Sequence, residues 1–231
     1  MAADNAKKTQ EFFDHWDEYH QLVQDLDTYR KVAGALRGEI RGRLLDVGNG
    51  GVFNYDVTEA REIVVVDIAE ELVAKMECPP NVSFQWGDAT KLPVEANSFD
   101  TVLLQLTIHH LAEYDLATTR RRIQEALKEA YRVLKPMGRL VIIESCLPRL
   151  WERAELALFP VFRWFLIRIN HPIVLQWNWE TLAQFCRDAG FDQVEQTRIP
   201  LGKWVIQLGR KWPTSLTPIR IYKFVAHKPA N

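Results

Sequence analysis

The residue types best able to do chemistry lie in residues 43–51, RLLDVGNGG, and in the acid that follows at Asp67. Leu44, Leu45 and Val47 form a short apolar run that ends in Gly48, Asn49, Gly50 and Gly51, which reads as a buried strand entering a glycine turn. A backbone without Cβ can approach a ligand closely and take positive φ. A second apolar run, 63–66, ends in Asp67, which is placed to accept hydrogen bonds from a ribose diol. Strand, glycine turn, strand and terminal acid is the layout by which a doubly wound sheet holds a nucleoside. A dinucleotide fingerprint, counted from Gly48 and Gly50, needs glycine at position 53, where Phe53 stands, so a nicotinamide cofactor is disfavoured. His109 and His110 follow the apolar run 101–106. With an unperturbed pKa near ~6.5, a histidine there is suited to take a proton from a hydroxyl acceptor. Cys78, Cys146 and Cys186 are widely spaced and show no zinc pattern, so no metal is expected.

The pattern Asp46-Val47-Gly48-Asn49-Gly50 resembles motif I of the class I S-adenosylmethionine-dependent methyltransferases. The third glycine usual in that motif falls where Val52 stands, with Gly51 one step early. The stretch on to Asp67 is also shorter than the family's usual one, which predicts a short or irregular helix after the turn. Further motifs similar to the family's occur in order: FFDHWDEYH near the N-terminus, GDA at 87–89, LKPMGRLVIIES, and ETLAQFCRDAGF. The resemblance implies that S-adenosylmethionine is the cofactor. It implies that Asp46, Gly48, Asn49, Gly50, Asp67, Ile68 and Gln105 surround it, with Tyr19 covering it. Asp88 would bind the adenine amino group, and the Ala89 amide a ring nitrogen.

These residues need elements to position them. Apolar residues from Phe12 to Leu36 recur at three and four, predicting one or two helices over 8–37, with Trp16 a core residue. A short helix is expected at 70–76, stopped by Pro79 and Pro80. Val82, Phe84 and Trp86 alternate as a third strand, and the near-continuous run 101–106 reads as a fourth, buried on both faces. An amphipathic helix over about 118–134 begins with Arg120, Arg121 and Arg122, which read as a solvated patch. Pro136 stops that helix and Gly138 permits the reversal into a fifth strand. Asn178 caps a helix over 179–189 that Gly190 closes. Strands follow at 191–199 and 221–226, joined by a long hairpin connection over 200–218.

From 147 to 177 the chain leaves the family pattern. Large apolar residues crowd 156–169, interrupted by Pro160, Arg163 and Arg168, and fall short of the ~20 uninterrupted residues of a membrane span. The segment reads as a roof over the acceptor, with Phe162, Trp164 and Phe165 as an apolar wall and Arg163 beside them. Ordinary core packing, a dimer contact or a contact with a membrane surface are the other readings.

The chain has 231 residues, 47% hydrophobic and 26% charged, with a formal charge of -1. Such a length suits one domain with a large core, 1–231, bearing a helical cap at 1–40 and a lid-like insertion at 147–177. The balanced charge gives no electrostatic footprint for nucleic acid. Three cysteines without a framework suit a reducing cytoplasm, and residues 1–10 contain no apolar signal core. The expected fold is α/β: a doubly wound, Rossmann-like, mostly parallel seven-stranded sheet with an antiparallel last strand. The subgroup most resembled contains the ubiquinone- and menaquinone-biosynthesis methyltransferases, which implies methyl transfer to a small, partly hydrophobic acceptor. The alternative is a cofactor-binding protein of the same fold that uses S-adenosylmethionine structurally or for a rearrangement.

Overall fold

The computed structural model describes residues 5–14, 27–69, 78–207 and 210–230. Strand β1 (Arg43–Val47) sits between β2 (Glu62–Asp67) and β4 (Phe99–Gln105), parallel to both. Alternation sends its side chains to opposite faces. Leu45 and Val47 enter one apolar cluster with Val66 and Leu104, while Leu44 enters the other with Val65 and Leu103. The sheet order is β3-β2-β1-β4-β5-β9-β6, where β3 is Val82–Trp86, β5 Leu134–Cys146, β6 Asp192–Ile199 and β9 Arg220–His227. Only β9 runs antiparallel to its neighbours in this sheet, as expected of the final strand.

Register is what gathers the site. Val47 lies opposite both Val66 and Leu104, Asp67 opposite Trp86, and Gln105 opposite Ile143. The residues that follow these positions, Gly48, Ile68, Gly87, Leu106 and Glu144, therefore share the carboxyl edge of the sheet, where open α/β sheets bind ligands.

Helices α1 (Asn5–Asp14) and α2 (Asp27–Leu36) precede β1. Trp16 and Tyr19, and the helix expected at 70–76, lie outside the described residues. Buried Asn5 pins α1 over the sheet edge: its amide donates to the Ala112 and Ile173 carbonyls and its oxygen accepts from the Ile173 N–H. The crossover from β1 to β2 contains one 3-10 turn, Val57–Glu59, capped by Asp56, in keeping with the short helix expected. Helix α3 (Leu116–Val133) is capped by Asp115, and α6 (Trp179–Asp188) by Asn178. Between β5 and α6 lie α4 (Arg149–Ala157) and α5 (Phe159–Arg168).

Three expectations are corrected. Helix α3 runs directly into β5, and it is Met137, at φ 64°, that takes the left-handed turn conformation assigned to Gly138. Gly138 serves by being small, since a Cβ there would sit 2.8 Å from the Lys135 carbonyl oxygen. The 200–218 connection is more than a loop: β7 (Trp204–Gln207) and β8 (Arg210–Pro213) pair antiparallel. Thr28 of α2 donates to the Trp204 carbonyl and so ties this hairpin to the N-terminal helices. The arginine run is not a uniform solvated patch. Arg120 stacks over the Trp177 ring at 4.7 Å, and Arg122 pairs with Asp88 at 3.1 Å and with Glu113 at 3.5 Å.

Candidate active site

A cavity of about 320 Å³ opens along the carboxyl edge of the sheet. Gly48, Asn49, Gly50, Asp67, Ile68, Asp88, Ala89 and Gln105 all line it. Gly48, Gly50 and Gly51 take φ of 70°, 61° and 78°, a conformation open to glycine at little cost. Gly48 has a second reason to be glycine, because a Cβ would lie 2.5 Å from Thr107 Cγ2. Thr107 in turn donates its hydroxyl to the Val47 carbonyl at 3.0 Å, closing the end of β1 against the end of β4.

Asp67 anchors this loop as well as facing the cavity. Its Oδ2 accepts from the Gly50 N–H and its Oδ1 from the Ala69 N–H, each at 2.9 Å. The same carboxylate therefore ties the loop to the end of β2 and lines the cavity. Asp88 carries two duties. Its Oδ1 accepts from the Thr90 N–H and hydroxyl, both at 2.8 Å, and its Oδ2 from Arg122. Burial raises its pKa, but the Thr90 bonds and the Arg122 charge outweigh burial and hold the carboxyl below the usual range. Asn49 Oδ1 and Gln105 Oε1 are buried with no hydrogen-bond partner among the described residues. Both residues line the cavity, and orphaned acceptors of this kind ask for a donor-bearing ligand.

Asp46 departs from expectation. It is buried beneath the loop and does not line the cavity. Its Oδ2 accepts from Asn49 Nδ2 at 2.6 Å and from the Tyr55 hydroxyl at 2.7 Å, so it supports the loop from behind. Burial pushes its pKa up to about 6, helped by the Asp67 charge and opposed by the Tyr55 and Asn49 bonds. Because the folded state holds this proton more tightly than the unfolded chain, stability falls as pH rises from about 4 to about 6. Asp46→Asn should flatten that part of the stability curve, as read by urea unfolding of the apo protein at several pH values.

The second half of the cavity is built differently. His109, in the 3-10 turn Ile108–Leu111, directs Nδ1 to Glu144 Oε1 at 2.7 Å. Glu144 is buried and also accepts from the Ile108 N–H at 2.9 Å and the Ser145 N–H at 2.7 Å. With an acceptor on Nδ1, the imidazole keeps its proton there and leaves Nε2 free as a base. Neighbouring His110 is half-buried, its buried Nδ1 has no partner among the described residues, and desolvation together with His109 and His171 lowers its pKa well below the histidine norm. His171 donates Nδ1–H to the Pro172 carbonyl at 2.7 Å, and burial lowers its pKa too.

Phe162, Phe165 and Leu166 of α5 line the cavity, at the spacing of a single helix face. Trp164 and Arg163 do not, which corrects their assignment to the acceptor wall. They fall off that face: Trp164 points outward, and Arg163 donates to the Tyr114 carbonyl. Glu144, Glu155, His171 and Phe13 also line or support the cavity and were not singled out from sequence. Glu155 Oε2 is unpartnered among the described residues, and burial, with the Glu152 charge, pushes its pKa up to about 7 against a bond from the Gln176 N–H.

A seven-stranded sheet with one antiparallel strand, a glycine loop after β1, an acid at the end of β2 and a second acid just past β3 form the layout of a doubly wound, nucleoside-binding fold. A family profile described as a methyltransferase domain matches residues 45–142. The demethylmenaquinone methyltransferase of Lactococcus lactis is 26% identical over 96% of this chain and 97% of its own. The ubiquinone/menaquinone biosynthesis C-methyltransferase UbiE of Agrobacterium fabrum is 30% identical over 73% of this chain and 71% of its own. Among solved structures, a chain in the Haloferax volcanii complex of a methyltransferase with the Trm112 activator superposes with a TM-score of 0.66 at 20% identity, covering 94% and 97%. The chain belongs to the class I S-adenosylmethionine-dependent methyltransferases. It transfers a methyl group from S-adenosylmethionine, and within the class it is similar to the quinone-biosynthesis enzymes. The reading as a protein that keeps the fold without methylating is set aside.

Proposed function

We propose that this enzyme methylates a small, partly hydrophobic acceptor carrying an acidic hydroxyl or carbon, a reduced quinone ring being the class its relatives' names suggest. The observation that carries the reading is the His109–Glu144 pair at 2.7 Å, in the same cavity as the α5 aromatic face. When bound, S-adenosylmethionine supplies an already activated methyl group for in-line displacement. The chain must align the two partners, which is worth roughly 7–11 kcal/mol, and take up the acceptor's proton. Nε2 of His109 receives that proton, and the buried Glu144 carboxylate stabilises the imidazolium that results. Asp67, Asp88, Ala89, Gln105 and the 48–50 loop hold the cofactor half. Phe162, Phe165 and Leu166 exclude water from the acceptor half. His110 Nδ1 and Glu155 Oε2 meet the acceptor's polar groups. Residues 1–40 act as cap and 147–177 as lid on a single domain of 1–231.

Among the described residues no helix is long and apolar enough to cross a membrane. Burial pushes the Cys146 and Cys186 thiols up, which keeps them unreactive and suits a cytoplasmic enzyme.

Transfer of labelled methyl from S-adenosylmethionine to a short-chain demethylmenaquinol, with catechol as comparison, tests the acceptor class. Product from neither acceptor would overturn it. Phe162→Ala and Phe165→Ala should each raise KM for the acceptor roughly tenfold or more, since burying a phenylalanine contributes about 1.5–3 kcal/mol. Calorimetry should find S-adenosylmethionine affinity unchanged in both. If KM stays put while melting temperature collapses, these residues are core rather than wall.

A further inference from the structure

The surface around the cavity carries an unpartnered apolar face that catalysis does not explain. In α5 only Phe159 and Leu166 are buried. Val161 is 61% exposed and Trp164 64%, and the adjoining α4 and its junction add Leu150 at 77%, Trp151 at 55% and Leu158 at 51%. Exposed apolar residues are ordinary singly, but a contiguous set on two consecutive helices marks an interaction surface.

Charge gives the partner. Arg153 and Arg168 are exposed on the same two helices, as is Arg149, which reaches exposed Glu180 at 3.6 Å, whereas Glu152 is buried, accepting from the Asn178 N–H, and Glu155 lines the cavity. The β7–β8 hairpin and the 3-10 turn Thr214–Leu216 after it repeat the composition: Trp204, Trp212 and Leu216 are exposed, beside exposed Lys203, Arg210 and Lys211. No aspartate or glutamate follows Glu195 in the chain. Both segments line the one cavity, α5 through Phe162, Phe165 and Leu166, the hairpin through Val205, Ile206 and Gln207.

We infer that the outer faces of α4, α5 and the β7–β8 hairpin seat this protein on an anionic lipid bilayer, with the acceptor cavity opening at the seat. Aliphatic and tryptophan side chains flanked by arginine and lysine form the composition that lies in a membrane interface without spanning it. The two helices are too short to span. A second copy of the chain fits poorly, because a two-fold contact would set the patch against itself and oppose Arg153 and Arg168 with like charges. An acceptor with an apolar tail would reach the cavity from the bilayer. That consequence rests on the proposed acceptor, whereas the seat does not.

The full chain is sedimented with vesicles of phosphatidylcholine alone or mixed with phosphatidylglycerol, without acceptor. Binding should be roughly tenfold stronger to the mixed vesicles and weaken as salt rises. Val161→Asp combined with Trp164→Asp should lower partitioning at least tenfold, while melting temperature and S-adenosylmethionine affinity stay at wild-type values. Arg153→Gln and Arg168→Gln should each cost about fivefold. Absence of binding to mixed vesicles at low salt, or equal binding by the double variant, overturns the proposal. So does a concentration-dependent dimer that the double variant dissolves. None of these readings depends on methyl transfer, so failure of the acceptor class and failure of the seat are separable.

Discussion

Asp67→Ala is expected to weaken S-adenosylmethionine binding between tenfold and a hundredfold in a protein that still folds. A charge-assisted hydrogen bond contributes on the order of 1.5–3 kcal/mol, which sets that range. The structure pushes the expectation to its upper end. Asp67 Oδ2 also accepts from the Gly50 N–H, so the substitution removes the proposed ribose contact and frees the loop that shapes the rest of the proposed cofactor half. Asp67→Asn separates the two duties. Its amide keeps one acceptor oxygen but must set its NH2 against either the Gly50 or the Ala69 N–H, both of which now donate to the carboxylate. Losing the Asp67 charge also removes one cause of the raised Asp46 pKa, so acid titration of Asp46 should move down in both variants. Calorimetric titration, with apo melting temperature as the control, decides the matter. Unchanged affinity in folded Asp67→Ala would mean that the acid merely ends a strand.

What was legible in the sequence is what short-range pattern encodes. Leu44 and Leu45 are adjacent apolar residues that a strand must bury on opposite faces, and they do. The glycine loop and Asp67 were readable because each ends an apolar run, and parallel register then brings run ends together. The site residues whose roles escaped depend on which side chains the folded loops and elements bring together. Arg122 reads as part of a charged run until Asp88, from another element, is placed beside it. Asp46 reads as a motif acid that touches ligand, but Tyr55 and Asn49 occupy it from behind the loop. The β7–β8 hairpin hides between prolines and glycines, because two four-residue strands carry too little periodicity to declare themselves. The apolar richness of 156–169 was visible, but its division into a cavity face and an exposed face was not. That division depends on which side of α5 meets the sheet edge.

His109 and Glu144 should govern the rate. General base catalysis typically contributes 10²–10⁴-fold, so His109→Ala should lower kcat by about a hundredfold or more with an acceptor that must lose a proton. S-adenosylmethionine affinity should hold, because the role proposed for His109 lies in the acceptor half of the cavity. Glu144 touches neither partner and acts by positioning. Its carboxylate takes the His109 Nδ1–H on Oε1 and the Ile108 N–H on Oε2, which fixes both the ring tautomer and the turn that carries it. Glu144→Gln can satisfy only one of those oxygens' donors, since its amide nitrogen must face another donor. It should therefore lower kcat by about tenfold or more and destabilise the apo protein by about 1–3 kcal/mol, the cost of leaving a buried donor unpaired. A structural role alone would give the loss of stability without the kinetic change. The distinguishing readout is chemical rescue: added imidazole should restore part of the kcat lost in His109→Ala and little of that lost in Glu144→Gln, whose ring is still present. If His109→Ala turns over within a few-fold of wild type, the base lies elsewhere, and the His109–Glu144 pair only holds the 3-10 turn Ile108–Leu111 against the end of β5.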